Sequence, residues 1–133
     1  MVQKLAWIVG IVLVLVGILG FVPGVTSADG LLLGIFEVDT IHNIVHILTG
    51  ALAIVAAMGS GAYASLFFKV FGVVYALVAV LGLAMGSPIL GLIHANMADH
   101  VLHVVLAAAF LYAGFGMRSS SASPAPMGAT PTM

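Results

Sequence analysis

Four stretches of this chain are long and apolar enough to cross a lipid bilayer, and that constrains its fold more than anything else. Crossing the hydrocarbon takes about 20 largely apolar residues, or somewhat fewer. The runs cover approximately residues 5–22, 40–58, 66–86 and 98–117. With no water in the bilayer core, each backbone N–H and C=O must be satisfied internally, so each run reads as a helix. The fold class is therefore all-α, a four-transmembrane-helix bundle over residues 1–117. Only 5% of residues are charged, against about 25% in a soluble domain. A net charge of −1 with three basic residues gives nucleic acid no electrostatic footprint. The absence of cysteine excludes disulfides, thiolate zinc sites, iron–sulfur clusters and cysteine nucleophiles. The tail, 118–133, is Ser, Ala, Pro and Thr with few bulky side chains, and is expected to be a disordered cytoplasmic segment.

The first run also resembles a secretory signal, with Lys4 ahead of it and Thr26-Ser27-Ala28 after it. Its apolar run exceeds the 7–15 residues usual there, and an internal repeat argues that it stays. Lys4, Gly17 and Pro23 have the same mutual spacings as Lys69, Gly82 and Pro88. Leu33-Gly34-Ile35-Phe36 matches Leu90-Gly91-Leu92-Ile93. The segment from Asp39 to His46 matches that from Asn96 to His103, so His42 corresponds to Asp99, and His46 to His103. The bundle is thus read as two tandem two-helix repeats, 4–58 and 66–117.

Lys4, Lys69 and Arg118 fall on one side of a four-span chain, and Asp29, Glu37, Asp39 and Asp99 on the other. The positive-inside rule places the basic side, with both termini, in the cytoplasm. Tandem hairpins then share one orientation, related by an axis along the membrane normal. The short apolar pieces 31–36 and 89–93 cannot span, and are expected at the outer interface or folded over the bundle as a lid.

All five histidines fall at the outer end: His42, His46, His94, His100 and His103. Helices two and four start at the good N-caps Asp39 and Asn96. At 100° per residue His42 and His46 point within about 40° of each other, one turn apart, as do Asp99 and His103. An ionisable group this deep in the apolar zone is costly and points to function. If helices two and four face each other, His42, His46, Asp99 and His103 converge into a set suited to Zn²⁺, Fe²⁺ or Cu²⁺. Glu37, His94 and His100 would support that set or form its lid. Alternatively His46 and His103 are axial ligands of a haem-like tetrapyrrole. The bland reading makes the same groups interhelical hydrogen-bonding glue. Met85 and Met97 offer soft thioethers, although methionine in such helices is more often filler. The glycines, Gly10, Gly17 and Gly50 among them, are places where helices can approach closely.

The strings Gly20-Phe21-Val22-Pro23-Gly24 and His42-Asn43-Ile44-Val45-His46-Ile47-Leu48-Thr49-Gly50, with Asp99-His100-Val101-Leu102-His103 later, resemble a family of small bacterial four-helix membrane proteins of unknown function. The resemblance covers residues 4–117 and implies the fold and the bacterial plasma membrane. It brings no activity, substrate or cofactor. His100 departs from the pattern the resemblance implies, an amide or other polar residue.

Three functions compete. One is a binding protein holding a divalent metal or tetrapyrrole at the outer ends of helices two and four. Another is a structural or accessory subunit, with other membrane subunits or further copies of itself as partners besides the lipid bilayer. The third is a small transporter, disfavoured because the inner half of every helix is apolar. No triad, phosphate loop or metalloprotease helix is present, so an enzyme ranks last; His42 lacks the adjacent glutamate such a helix requires.

Overall fold

In the computed structural model the described residues are 1–117, and the expected disordered tail 118–133 lies outside them. Four helices follow one another: α1 (Val2–Leu19), α2 (Thr40–Met58), α3 (Gly61–Met85) and α4 (Met97–Leu111), the last continued by a π-helical turn at Tyr112–Gly116. All four, counting α4 with its π turn, are long and apolar enough to cross a membrane, with at most 39% of any spanning window buried inside the protein. The remaining apolar surface, such as Ile11 and Leu15 on α1 and Leu77 and Val80 on α3, faces outward. In water that surface would be unsustainable; against acyl chains it is the solvent-facing side. The chain is a multi-pass membrane protein.

The packing is by hairpin. Within the first, α1 and α2 cross at glycines: a Cβ on Gly50 would lie 2.7 Å from both the Gly10 carbonyl oxygen and the Val14 nitrogen. Backbone against backbone is how helices associate in lipid, where no hydrophobic drive brings them together. At the opposite end Gln3 Nε2 donates to the Gly59 carbonyl at 2.8 Å, tying the start of α1 to the end of α2. In the second hairpin α3 meets α4 at Gly72 against Leu111 and at Gly114 against Lys69. The π turn displaces backbone groups from the regular ladder, and Ser65 Oγ donates to the Gly114 carbonyl at 2.8 Å. An aromatic core of Phe67, Phe68, Tyr75 and Phe110 packs between α3 and α4, with Phe68 and Phe110 edge-to-face at 5.2 Å.

The start of α3 differs most from expectation. Helix α3 begins at Gly61 rather than near residue 66, because Gly59 and Ser60 alone suffice for the turn after α2. The short apolar pieces fold as turns at the loop-bearing end, and in the first Leu31–Leu32 (β1) pairs antiparallel with Phe36–Glu37 (β2). Their shared geometry is specific. Leu33 and Gly34 have φ of 53° and 71°, and Leu90 and Gly91 have 51° and 72°. Positive φ at both central residues is the signature of the tight type I′ hairpin turn. Ile35 N–H donates to the Leu32 carbonyl and Leu92 N–H to the Ile89 carbonyl, both at 3.0 Å. Next to the two turns, Leu32 pairs with Phe36 and Ile89 with Ile93. Leu32 and Ile89 are buried, whereas Leu33 and Leu90 stand out at the tips.

Candidate metal centre

The two helix caps that organise this end of the bundle each reach into the other hairpin's loop. Asp39 Oδ1 accepts from His42 N–H at 2.8 Å, an ordinary N-cap. Its Oδ2 accepts from His94 N–H at 2.6 Å and lies 2.9 Å from His94 Nδ1. At α4, Asn96 and Asp99 form a capping box. Asp99 Oδ2 also accepts from Glu37 N–H at 2.9 Å, and Asn96 Nδ2 donates to the Ile35 carbonyl at 2.8 Å. Glu37 and His94 occupy matching places in the two halves, so each loop is held by the cap of the opposite half.

This exchange positions the imidazoles. His42 and His46 lie one turn apart on α2 with their rings tilted and their centroids 4.7 Å apart, and the His103 ring on α4 lies 5.9 Å from that of His42. One ring nitrogen from each of the three falls within 4.8 Å of the others. They are 3%, 9% and 5% exposed, respectively. The His42 ring is fixed by a contact of 2.9 Å from Nδ1 to the His94 carbonyl. A carbonyl only accepts, so Nδ1 carries the hydrogen and Nε2 of the neutral ring bears the lone pair. That Nε2 is buried and finds no partner among the described residues, nor do Nδ1 of His46 and Nδ1 of His103. A buried polar atom without a partner costs about 1–3 kcal/mol, so three in one place need an explanation.

The other candidates fall around this triangle. Asp99 is 3% exposed but does not join the three imidazoles; its Oδ2 serves the α4 cap and the first loop. Glu37 engages through its backbone. His94 contributes its carbonyl to His42, its own ring being half-exposed against Asp39. His100 turns towards α3, where its ring fills the space left by the absent side chain of Gly82. Neither Met85 nor Met97 is buried, both side chains being largely exposed. Sequence reasoning missed two participants. Asp39 was legible as a helix cap, but nothing in its neighbours announced the bond to His94, 55 residues away. Tyr75, whose ring meets His103 edge-on at 5.5 Å, is one aromatic among many in an apolar helix.

Outside the spans, Asp39 has a perturbed ionisation. Burial alone would raise its carboxyl, but hydrogen bonds from the His42 and His94 backbones, the His94 ring and the Ile41 N–H outweigh that and hold it below the ordinary carboxylate value.

Fold and site together define a small four-helix membrane protein with a buried histidine triangle at the end of the bundle that carries the loops. Residues 3–116 match the family model described as "Domain of unknown function (DUF4383)", and the chain belongs to that family. No curated protein and no solved structure matches it.

Proposed function

We propose that this protein holds one divalent first-row transition-metal ion on His42, His46 and His103, just beneath the outer surface of a bacterial plasma membrane. The reading is carried by three buried imidazoles that converge, each with a ring nitrogen that has no protein partner. A histidine whose other nitrogen donates to a backbone carbonyl is typical of a metal ligand, because the bond fixes the tautomer and aims the lone pair. Imidazole suits zinc, copper, iron and nickel. Around zinc, bonds of about 2.0–2.1 Å put tetrahedral nitrogens about 3.3 Å apart. Nitrogens already within 4.8 Å reach that by small side-chain rotations. The three imidazoles leave a fourth position open to a small molecule.

The tetrapyrrole reading is weaker. With His42 within 4.8 Å of the ligating atoms of both His46 and His103, a macrocycle between those two would collide with the third imidazole. Basic residues at one end and acids at the other support cytoplasmic termini. Matching turns at Leu33-Gly34 and Leu90-Gly91, and the reciprocal cap contacts, support descent from a tandem duplication.

Purified protein, stripped with chelator and reloaded, is expected to take up one equivalent of Zn²⁺, Cu²⁺ or Fe²⁺. His42→Ala and His103→Ala should lose it while keeping helical content and elution volume. Metal-free wild type, unchanged on loading, would leave the triangle as packing glue. A second reading, an accessory subunit without its own cofactor, draws on His100, which shows this chain using a buried histidine to fill space. Co-purification of a stable partner with a metal-free protein would favour it.

A further inference from the structure

On the far side of the triangle from α3, a cavity of ≈ 270 Å³ lies between α1 and α4 beneath the first β-turn. Its body is apolar, with Leu13 and Val16 from α1 and Leu106 and Phe110 from α4. At its loop end stand His46, Asp99 and His103. His46 and His103 are at least nine-tenths buried and each carries a ring nitrogen without a partner among the described residues. An apolar cleft with a few convergent polar groups at one end is the form of a small-molecule site, although this one falls just below the usual range of about 300–1,000 Å³. It has room for one ring or one chain, not for a macrocycle.

We propose that this cavity binds a neutral lipophile whose head bears a hydrogen-bonding oxygen, a quinone or quinol or a long-chain alcohol, drawn from the bilayer. A plain hydrocarbon chain would fill the apolar body but leave the imidazole nitrogens unpaired, which is costly in low dielectric. A carboxylate or phosphate head would carry a full charge into an apolar cavity whose wall has no Lys or Arg to pair it. A carbonyl accepts from an imidazole N–H and a hydroxyl donates to a bare imidazole nitrogen, so either neutral oxygen satisfies the rings in one of their tautomers. The outer wall of the cavity at Ile8, Val12 and Leu33 is exposed, which gives a tail a path sideways into lipid between α1 and α4.

Binding of this lipophile does not rest on the metal reading: lipophile and ion would compete for His46 and His103, so the lipophile is tested on metal-free protein. His42 belongs to the triangle but not to the cavity wall, so His42→Ala removes the ion and spares the lipophile. Val16→Phe fills the cavity and touches no histidine; Val12→Phe does the same at its exposed mouth should the deeper variant fail to fold. Titration calorimetry of the full chain in detergent would compare decyl-benzoquinone, its quinol, decanol, decanoate and decane. Saturable binding of a neutral oxygen-headed probe is expected, weakened at least tenfold by Val16→Phe or Val12→Phe and unchanged in His42→Ala. The quinone pair and decanol separate the two head chemistries. Equal binding of decane or decanoate, or indifference to both cavity-filling variants, overturns the assignment.

Discussion

His42 Nδ1 donates to the backbone carbonyl of His94 at 2.9 Å, and that carbonyl is itself held by a bond from His94 N–H to Asp39. The relationship runs from the cap of α2, through the loop before α4, back to a ring on the first turn of α2. It makes the orientation of one imidazole depend on a carboxylate that never faces the triangle. A loop carbonyl is a soft orienting group unless the loop is pinned. Here Asp39 pins it with bonds to both the backbone and the ring of His94.

Asp39→Ala should therefore weaken ion binding without removing a ligand. Loss of an outer orienting group typically costs about 10–100-fold in metal affinity, whereas His103→Ala should abolish binding. Competition titration against a chelator of known affinity separates the two. Unchanged affinity in Asp39→Ala would show that the His94 carbonyl does not need the cap to hold its place.

The same carboxylate predicts an acid sensitivity. Its ionised form is favoured in the folded protein, so its folded pKa lies below the unfolded one. The stabilisation is complete above the ordinary carboxylate range and is lost as pH falls through the lowered folded value. Asp39→Asn keeps a competent N-cap but cannot titrate. The gap in Tm between wild type and Asp39→Asn should be widest near neutrality and close as the solution is acidified below the ordinary carboxylate range. A gap that widens on acidification would reverse the sign and remove the argument.

Asp99→Ala probes the other cap. It unpairs Asn96 N–H and Glu37 N–H together, cutting α4 from the first loop. Loss of an N-terminal cap interaction costs about 0.5–2 kcal/mol, and the part-buried Glu37 N–H left without its acceptor adds less than the cost of a fully buried one. Hydrogen exchange should rise sharply at Glu37 and Val38 and much less in the middle of α2. Uniform protection after the substitution would mean that the β-turn holds itself.

Much of this was legible from residues alone, and the remainder was not for identifiable reasons. Helix number and position follow from apolar length, because lipid leaves the backbone no alternative. The proximity of His42 to His46 follows from helical period. The approach of His103 needs α2 and α4 brought together at their loop ends, which spacing within one helix cannot state. Leu33 was unreadable as a turn residue, since a branched side chain rarely takes positive φ; Gly34 beside it was the only cue. The rotation of His100 towards Gly82 rather than into the cluster depends on a glycine one helix away. Contacts within one turn were visible, while contacts between hairpins were not.

The crossing of α1 over α2 gives the sharpest stability test. A methyl group on Gly50 would meet the Gly10 carbonyl oxygen and the Val14 nitrogen at 2.7 Å, and backbone atoms have no rotamer by which to withdraw. The helices must separate, losing the close contact that holds the first hairpin together in lipid. Gly50→Ala should thus destabilise by about 1–3 kcal/mol, the usual range for overpacking, despite alanine's better helix propensity. Ala51, one residue on, is exposed, and Ala51→Leu should stay within about 0.5 kcal/mol of wild type. Because Gly50 lies one turn beyond His46, separation of α1 from α2 should also disturb the triangle. Gly50→Ala is expected to lower both the unfolding midpoint in mixed detergent and the affinity for the ion, and Ala51→Leu neither. If Gly50→Ala unfolds like wild type, the close crossing is not what holds the hairpin. If it lowers stability but leaves ion affinity intact, the histidines are positioned by the caps alone.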